Sequence, residues 1–195
     1  MRSILTILIC AALAACTHQG PAPAVTVVKA DLAVQREISL QRLRAYAEAG
    51  VFPLDELGRP TSIFRDGEGR LCAMAFLIDA SGRRDLVDEV VRTNNRLKLA
   101  DVKDGPLMDW MLSSGLTQEE IALIQGELVM DYVRFENSNH PEPMQNQIVV
   151  ARARNEIKRR LAVRGQQLVA QRNTSLELAA QRAPSAKVAA ANPRP

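Results

Sequence analysis

The sequence predicts a mainly α-helical fold: a compact multi-helix domain with one small β-hairpin and a long C-terminal helical extension. Three observations predict it. Apolar residues recur at three- and four-residue spacing in separate stretches between residues 31 and 136. One convincing pair of short extended runs flanks a glycine-containing turn. Residues 147–182 hold a single glycine, Gly165, and are rich in Ala, Arg and Gln. With 195 residues, 47% of them hydrophobic and 24% charged, the chain can pack one core, which excludes disorder throughout.

Asp31 as N-cap and Gly50 as stop enclose the first helix, with Ile38, Leu40, Leu43, Tyr46 and Ala47 near one face. Phe52-Pro53-Leu54 reads as an extended apolar plug. Residues 61–65 and 70–72 flank Asp66-Gly67-Glu68-Gly69, which reads as a hairpin whose glycines supply positive φ. Ala73 to Ala80 is apolar nearly all round, so it should be the buried central helix. Asp85 to Thr93 places Leu86, Val87, Val90 and Val91 at helical spacing, and Asn94-Asn95 ends it. Leu107 to Ser114 carries Met108, Trp110, Met111 and Leu112, with Gly115 as the residue after the cap and Leu116 as its apolar contact. Thr117-Gln118-Glu119-Glu120 is a capping box ahead of a helix expected to reach Phe135.

Beyond this core, 31–136, composition marks 137–146 as a linker. Residues 147–182 keep a narrow apolar stripe of Val150, Ile157, Leu161 and Leu168. They predict one basic amphipathic helix, or two joined near Gly165. Residues 183–195, with three prolines, read as a disordered tail, and 16–30 as a tether with prolines and little periodicity.

The first residues carry an address. Arg2 precedes the apolar run Ile4 to Ala12, and Leu13-Ala14-Ala15-Cys16 closes it. A basic start, a short apolar run and a small-residue cleavage site describe an export signal. The run is too short to span a bilayer, which takes about 20 apolar residues. Leu13-Ala14-Ala15-Cys16 also resembles the lipobox of bacterial lipoprotein signals. That resemblance implies that residues 1–15 are removed and that Cys16 carries the lipid. Because Thr17, not Asp, follows the cysteine, it further implies an outer-membrane location facing the periplasm. Two or three acyl chains on one residue would hold the protein there essentially permanently.

Cys10 then leaves with the signal, and Cys72 is left without a cysteine partner. Its setting, Leu71-Cys72-Ala73-Met74, predicts a buried thiol. No base is placed to activate it, since His18 lies in the tether and His140 in the linker.

Charge is divided. Residues 17–150 hold 14 Lys and Arg against 20 Asp and Glu, a balance of −6. Residues 151–195 hold 10 against 2, a balance of +8. The basic stretch could pack on the acidic body, contact an anionic envelope polymer or lipid head groups, or self-associate. Nucleic acid is disfavoured, because no aromatic residue is interleaved for stacking and the export signal directs the chain elsewhere. Leu116 to Ala122 superficially resembles a helix-turn-helix start, but no recognition helix follows.

The sequence contains no Gly-x-Ser-x-Gly, His-Glu-x-x-His, P-loop or Cys-x-x-Cys motif. Asp66-Gly67-Glu68-Gly69 lacks the ligand spacing of a calcium loop. No cofactor, metal or catalytic residue is predicted. A carboxylate pair such as Asp101 and Asp104 keeps a cell-wall-acting hydrolase as the alternative. Finally, Cys72-Ala73-Met74-Ala75-Phe76-Leu77, Ser81-Gly82-Arg83, Asn95, Leu107, Trp110, Ser114-Gly115-Leu116-Thr117 and Ile124-Gln125 resemble a group of exported bacterial proteins of unknown function. The resemblance implies one compact helical domain over residues 43–126 and no activity. The expectation is a membrane-anchored, non-catalytic envelope lipoprotein whose basic C-terminal helix meets an anionic partner or another protein.

Overall fold

A computed structural model describes residues 23–55, 59–126 and 143–183. Their regular structure is helical: α1 (Pro23–Ala49), α2 (Ala73–Ala80), α3 (Arg84–Asn94), α4 (Gly105–Ser113), α5 (Gln118–Gly126), α6 (Pro143–Ala170) and α7 (Arg172–Arg182), with a 3-10 turn at Leu99–Asp101. The protein is mainly helical, as the apolar spacing predicts.

The core is built around α2. Ala73, Met74, Ala75, Leu77 and Ile78 are buried on all sides, and full burial of a side chain such as Leu77 or Ile78 contributes about 1.5–3 kcal/mol. Leu86, Val87 and Val90 of α3, Trp110 and Met111 of α4 and Ile121 and Ile124 of α5 close over it. Leu40, Leu43 and Tyr46 of α1 cover another side. Tyr46 stacks obliquely between Phe52 and Phe76, with ring centroids 5.4 and 5.3 Å away, and its hydroxyl donates to the Leu71 carbonyl at 2.9 Å.

The long C-terminal helices belong to this same core. Ile157, Leu161 and Leu168 of α6 join the main apolar cluster. A second cluster joins Val28 and Leu32 of α1 to Leu176, Ala179 and Ala180 of α7 and to Ala183. That second cluster explains where α1 begins. Helix runs from Pro23 through residues read above as tether, because Val28 and Leu32 find apolar partners on α7. Composition near the N-terminus carries no trace of a partner so distant in sequence. Pro23 at the first helical position costs nothing, since the N–H it lacks would have no helical acceptor.

Other boundaries shift for local reasons. α4 starts at Gly105 with Pro106 in its first turn. α6 starts at Pro143, inside the stretch read as linker. The C-terminal helix breaks at Gln171, not near Gly165. Arg36 donates to the Leu168 carbonyl at 2.8 Å just before that break, and a side chain entering the helical hydrogen-bond ladder is a recognised cause of kinks. The continuation of α5 to Phe135 falls outside the described residues.

The expected hairpin is reduced to one antiparallel bridge, Arg65 to Leu71, and no sheet forms among the described residues. Two backbone bonds cross the turn, Asp66 N to the Arg70 carbonyl and Cys72 N to the Phe64 carbonyl, each at 3.0 Å, and pairing goes no further because the outer groups turn to Asn95. Phe64 N donates to the Asn95 carbonyl and Arg65 N to Asn95 Oδ1, while Asn95 Nδ2 donates to the Arg65 carbonyl at 2.7 Å. The Asp66 side chain reinforces the turn. Its carboxylate accepts from the backbone N–H groups of Leu54, Glu68 and Arg70, each at 2.9 Å. Burial, the largest influence, pushes this carboxyl up. The bonds from Leu54, Arg70 and Glu68 outweigh it and hold the group below the usual carboxylate range.

A buried polar hub and the outward face of α6

The polar residues that stand out in the sequence are mostly structural. Cys72 is fully buried and caps α2, its sulfur accepting from Ala75 N at 3.4 Å. Burial pushes its thiol up to about 11, so a thiolate is not present near neutral pH. Trp110 Nε1 donates to Ser81 Oγ at 2.8 Å. Gln125 accepts from Leu99 N and donates to the Leu97 carbonyl, fixing the irregular stretch before α4. Asp101 and Asp104 are both solvent-exposed. Asp104 occupies the N-cap position of α4 without a side-chain cap bond. Cys16, His18 and His140 lie outside the described residues. Among the described residues, no three His, Cys, Asp or Glu side chains are grouped to hold a metal ion, and no helix is long and apolar enough to cross a membrane.

One polar feature was not legible in the sequence. Arg36, 1% exposed, makes a two-pronged ion pair with Glu120, Nη2 to Oε1 at 2.7 Å and Nη1 to Oε2 at 2.8 Å. The same guanidinium donates to the carbonyls of Gly115 at 3.0 Å and Leu168 at 2.8 Å. Ser175 Oγ donates to Glu120 Oε1 at 2.7 Å, and Thr117 N to Oε2 at 2.9 Å. The capping box therefore has a second duty. Glu120 returns a bond to Thr117 while its carboxylate anchors α1 and α7. Its carboxyl feels burial most strongly, which raises it. The bonds from Arg36, Thr117 and Ser175, with the Arg36 charge, override that and hold it below its ordinary value.

Gly115 makes this junction possible. Its φ of 75° suits glycine, and a Cβ there would overlap backbone atoms of Leu32 and Arg36. Removal of the side chain lets α1 pass against the α4–α5 turn, and Arg36 reaches Glu120.

With α6 and α7 locked down, their charged residues divide into two groups. Some clamp inward: Lys158 donates to the Glu48 carbonyl at 2.9 Å, Arg182 pairs with Glu119 at 3.4 Å, and Lys29 of α1 pairs with Glu177. Others face out. Ala153, Ile157, Leu161 and Leu168 form the buried stripe. At ~100° per residue, Ile148, Arg152, Arg159 and Val163 lie on the opposite side of the helix. Arg152 and Arg159 are exposed, and Ile148 and Val163 are 49% and 43% exposed. Arg159, Arg160, Val163, Arg164 and Gln167 surround a shallow depression of about 260 Å³. Glu156 tempers that charge locally, accepting from Arg159 at 2.5 and 2.9 Å.

A depression of about 340 Å³ between α4, α5 and α7 includes Glu119 as its sole carboxylate. A larger groove between α1 and α6 includes Glu48 as its sole carboxylate. Comparison with protein-family models, with characterised proteins and with solved structures finds no match to this chain.

Proposed function

We propose that the protein is a bacterial envelope lipoprotein, held to the membrane through acyl chains on Cys16. Its helical body is a non-catalytic module that turns the outward face of α6 toward an anionic envelope component. The observation that carries this reading is the division of charge across one helix. The buried side of α6 is apolar, whereas its outward side offers Arg152 and Arg159, interspersed with exposed Ile148 and Val163, and half-buried Arg160 and Arg164 line a depression on its flank. Guanidinium groups suit phosphate and carboxylate partners. Exposed aliphatic residues between them suit a surface that is part polar and part apolar. Attachment through Cys16 would raise the local concentration of any partner at the membrane. The Leu13-Ala14-Ala15-Cys16 sequence supports the anchor, and Thr17 supports the outer membrane.

Two experiments test the proposal. Labelled palmitate enters the wild-type chain in cells but not Cys16→Ser if the anchor is right. For the binding face, the purified mature protein is sedimented with peptidoglycan or with vesicles containing phosphatidylglycerol. Co-sedimentation should fall at high salt and fall further in Arg152→Glu/Arg159→Glu. Binding that is indifferent to both changes contradicts the proposal. Substitution is preferable to truncation near Asn139, because removal of α6 would strip Ile157, Leu161 and Leu168 from the core.

A further inference from the structure

α6 runs antiparallel to α1. Lys158 reaches the Glu48 carbonyl at one end, and the Leu168 carbonyl receives Arg36 at the other. Between these ties the two helices border an open groove of about 790 Å³. That size falls within the ~300–1,000 Å³ of pockets that enclose small ligands. Its floor is Leu40, Leu43, Ala47 and Leu161, none more than 7% exposed. Ala162 and Gly165 contribute almost no bulk, and Val169 at the edge is 52% exposed.

Charge is confined to one part of the groove. Arg44, Glu48 and Lys158 line it toward the C-terminal end of α1. Lys158 is fixed there by the chain: its methylenes cross Gly50, where a Cβ would overlap them, and its ammonium is held by the Glu48 carbonyl. Arg44 is exposed and makes no salt bridge among the described residues. Two cations against one carboxylate leave this end net positive. The residues toward Leu40 and Val169 bring no charge. Lys158 to Val169 spans eleven residues, or about 16 Å of helix, which matches roughly a dozen methylenes at ordinary carbon–carbon spacing. A trough that is apolar along most of its length and cationic at one end is complementary to an amphiphile.

We propose that the α1–α6 groove binds a single-chain amphiphile with an anionic head, its acyl chain along Leu43, Leu161 and Gly165 and its head between Arg44 and Lys158. None of Ile148, Arg152, Arg159 and Val163 lines the groove, so the site stands or falls apart from the outward basic face.

The test is calorimetric titration of the mature chain with dodecanoate below its micellar concentration, with monolauroyl glycerol as the uncharged comparison. Saturable one-to-one binding of dodecanoate is expected. Gly165→Leu fills the trough, and the Cβ it adds meets no protein atom within 4 Å. It should abolish dodecanoate binding while thermal unfolding stays unchanged or rises. Arg44→Gln should weaken dodecanoate by about ten-fold, the scale of one lost charge-assisted contact, and leave monolauroyl glycerol unaffected. Absence of saturable binding overturns the proposal, as does wild-type affinity in Gly165→Leu. Equal loss of both ligands in Arg44→Gln overturns the assignment of the head. A concentration-dependent dimer that Gly165→Leu abolishes overturns it in favour of a second copy of the chain.

Discussion

The α2–α5 core and the α1–α6–α7 layer are both helical, but they hold together in different ways. Around α2, apolar packing does nearly all the work, and polar side chains such as Cys72, Ser81 and Gln125 serve as caps and struts. In the layer, apolar stripes are narrow. A buried ion pair, Arg36–Glu120, ties α1 to α5, to the Leu168 carbonyl of α6 and to Ser175 of α7. Burial alone can fasten a short helix that is apolar all round. Long, charged helices with one thin stripe need a specific polar tie to fix their register. A buried ion pair adds little net stability when intact, yet it is costly to break.

The sharpest way to break the comparison is Arg36→Ala. It strands Glu120 without its main partner, and the expected loss is about 3–5 kcal/mol in urea unfolding. On the core side, Ile78→Ala should cost about 2–5 kcal/mol from lost burial and the cavity left behind. Acid should separate a change in the core from a change in the tie. Glu120 and Asp66 have folded values below their ordinary 4.5 and 3.8. Each contributes stability at pH above its ordinary value and loses it as pH falls through the folded value. The wild type and Ile78→Ala should therefore weaken together below about pH 4.5. Glu120→Gln should flatten part of that slope in acid titrations followed by circular dichroism. Thr117→Ala removes the hydroxyl that accepts from Glu120 N at 3.2 Å, for about 1 kcal/mol in thermal melts. Smallest is Lys29→Ala, which removes an exposed pair with Glu177 and should cost about 0–1 kcal/mol.

Legibility in the sequence follows the same division. α2 reads directly from its all-apolar run, α3 from Leu86, Val87 and Val90, and the start of α5 from its capping box. In each case the signal is local. Gly115 reads correctly as a helix stop, but its second role, admitting the backbone of α1, depends on a distant contact. The early start of α1 is invisible because Val28 and Leu32 gain their meaning from α7, and Lys29 pairs with a residue 148 positions away. Arg36 looks like any helix-surface arginine until Glu120 and Leu168 are folded beside it. The turn of the hairpin is legible, since one antiparallel bridge and two backbone bonds cross it, but no sheet grows from it because Phe64 N turns to the Asn95 carbonyl. For the outward face of α6, sequence supplies the charge and the structure supplies the side on which it is exposed.

That α6 and α7 are part of the cooperative fold, and not an appendage to it, is tested most directly by native-state amide hydrogen exchange. The amides of Leu161, Leu168 and Leu176 should open with nearly the same free energy as those of Leu77 and Ile78, because one tied core must unfold to release either set. Exchange from α6 and α7 that is orders of magnitude faster than from α2 would contradict the account and return the basic helix to the status of a free extension.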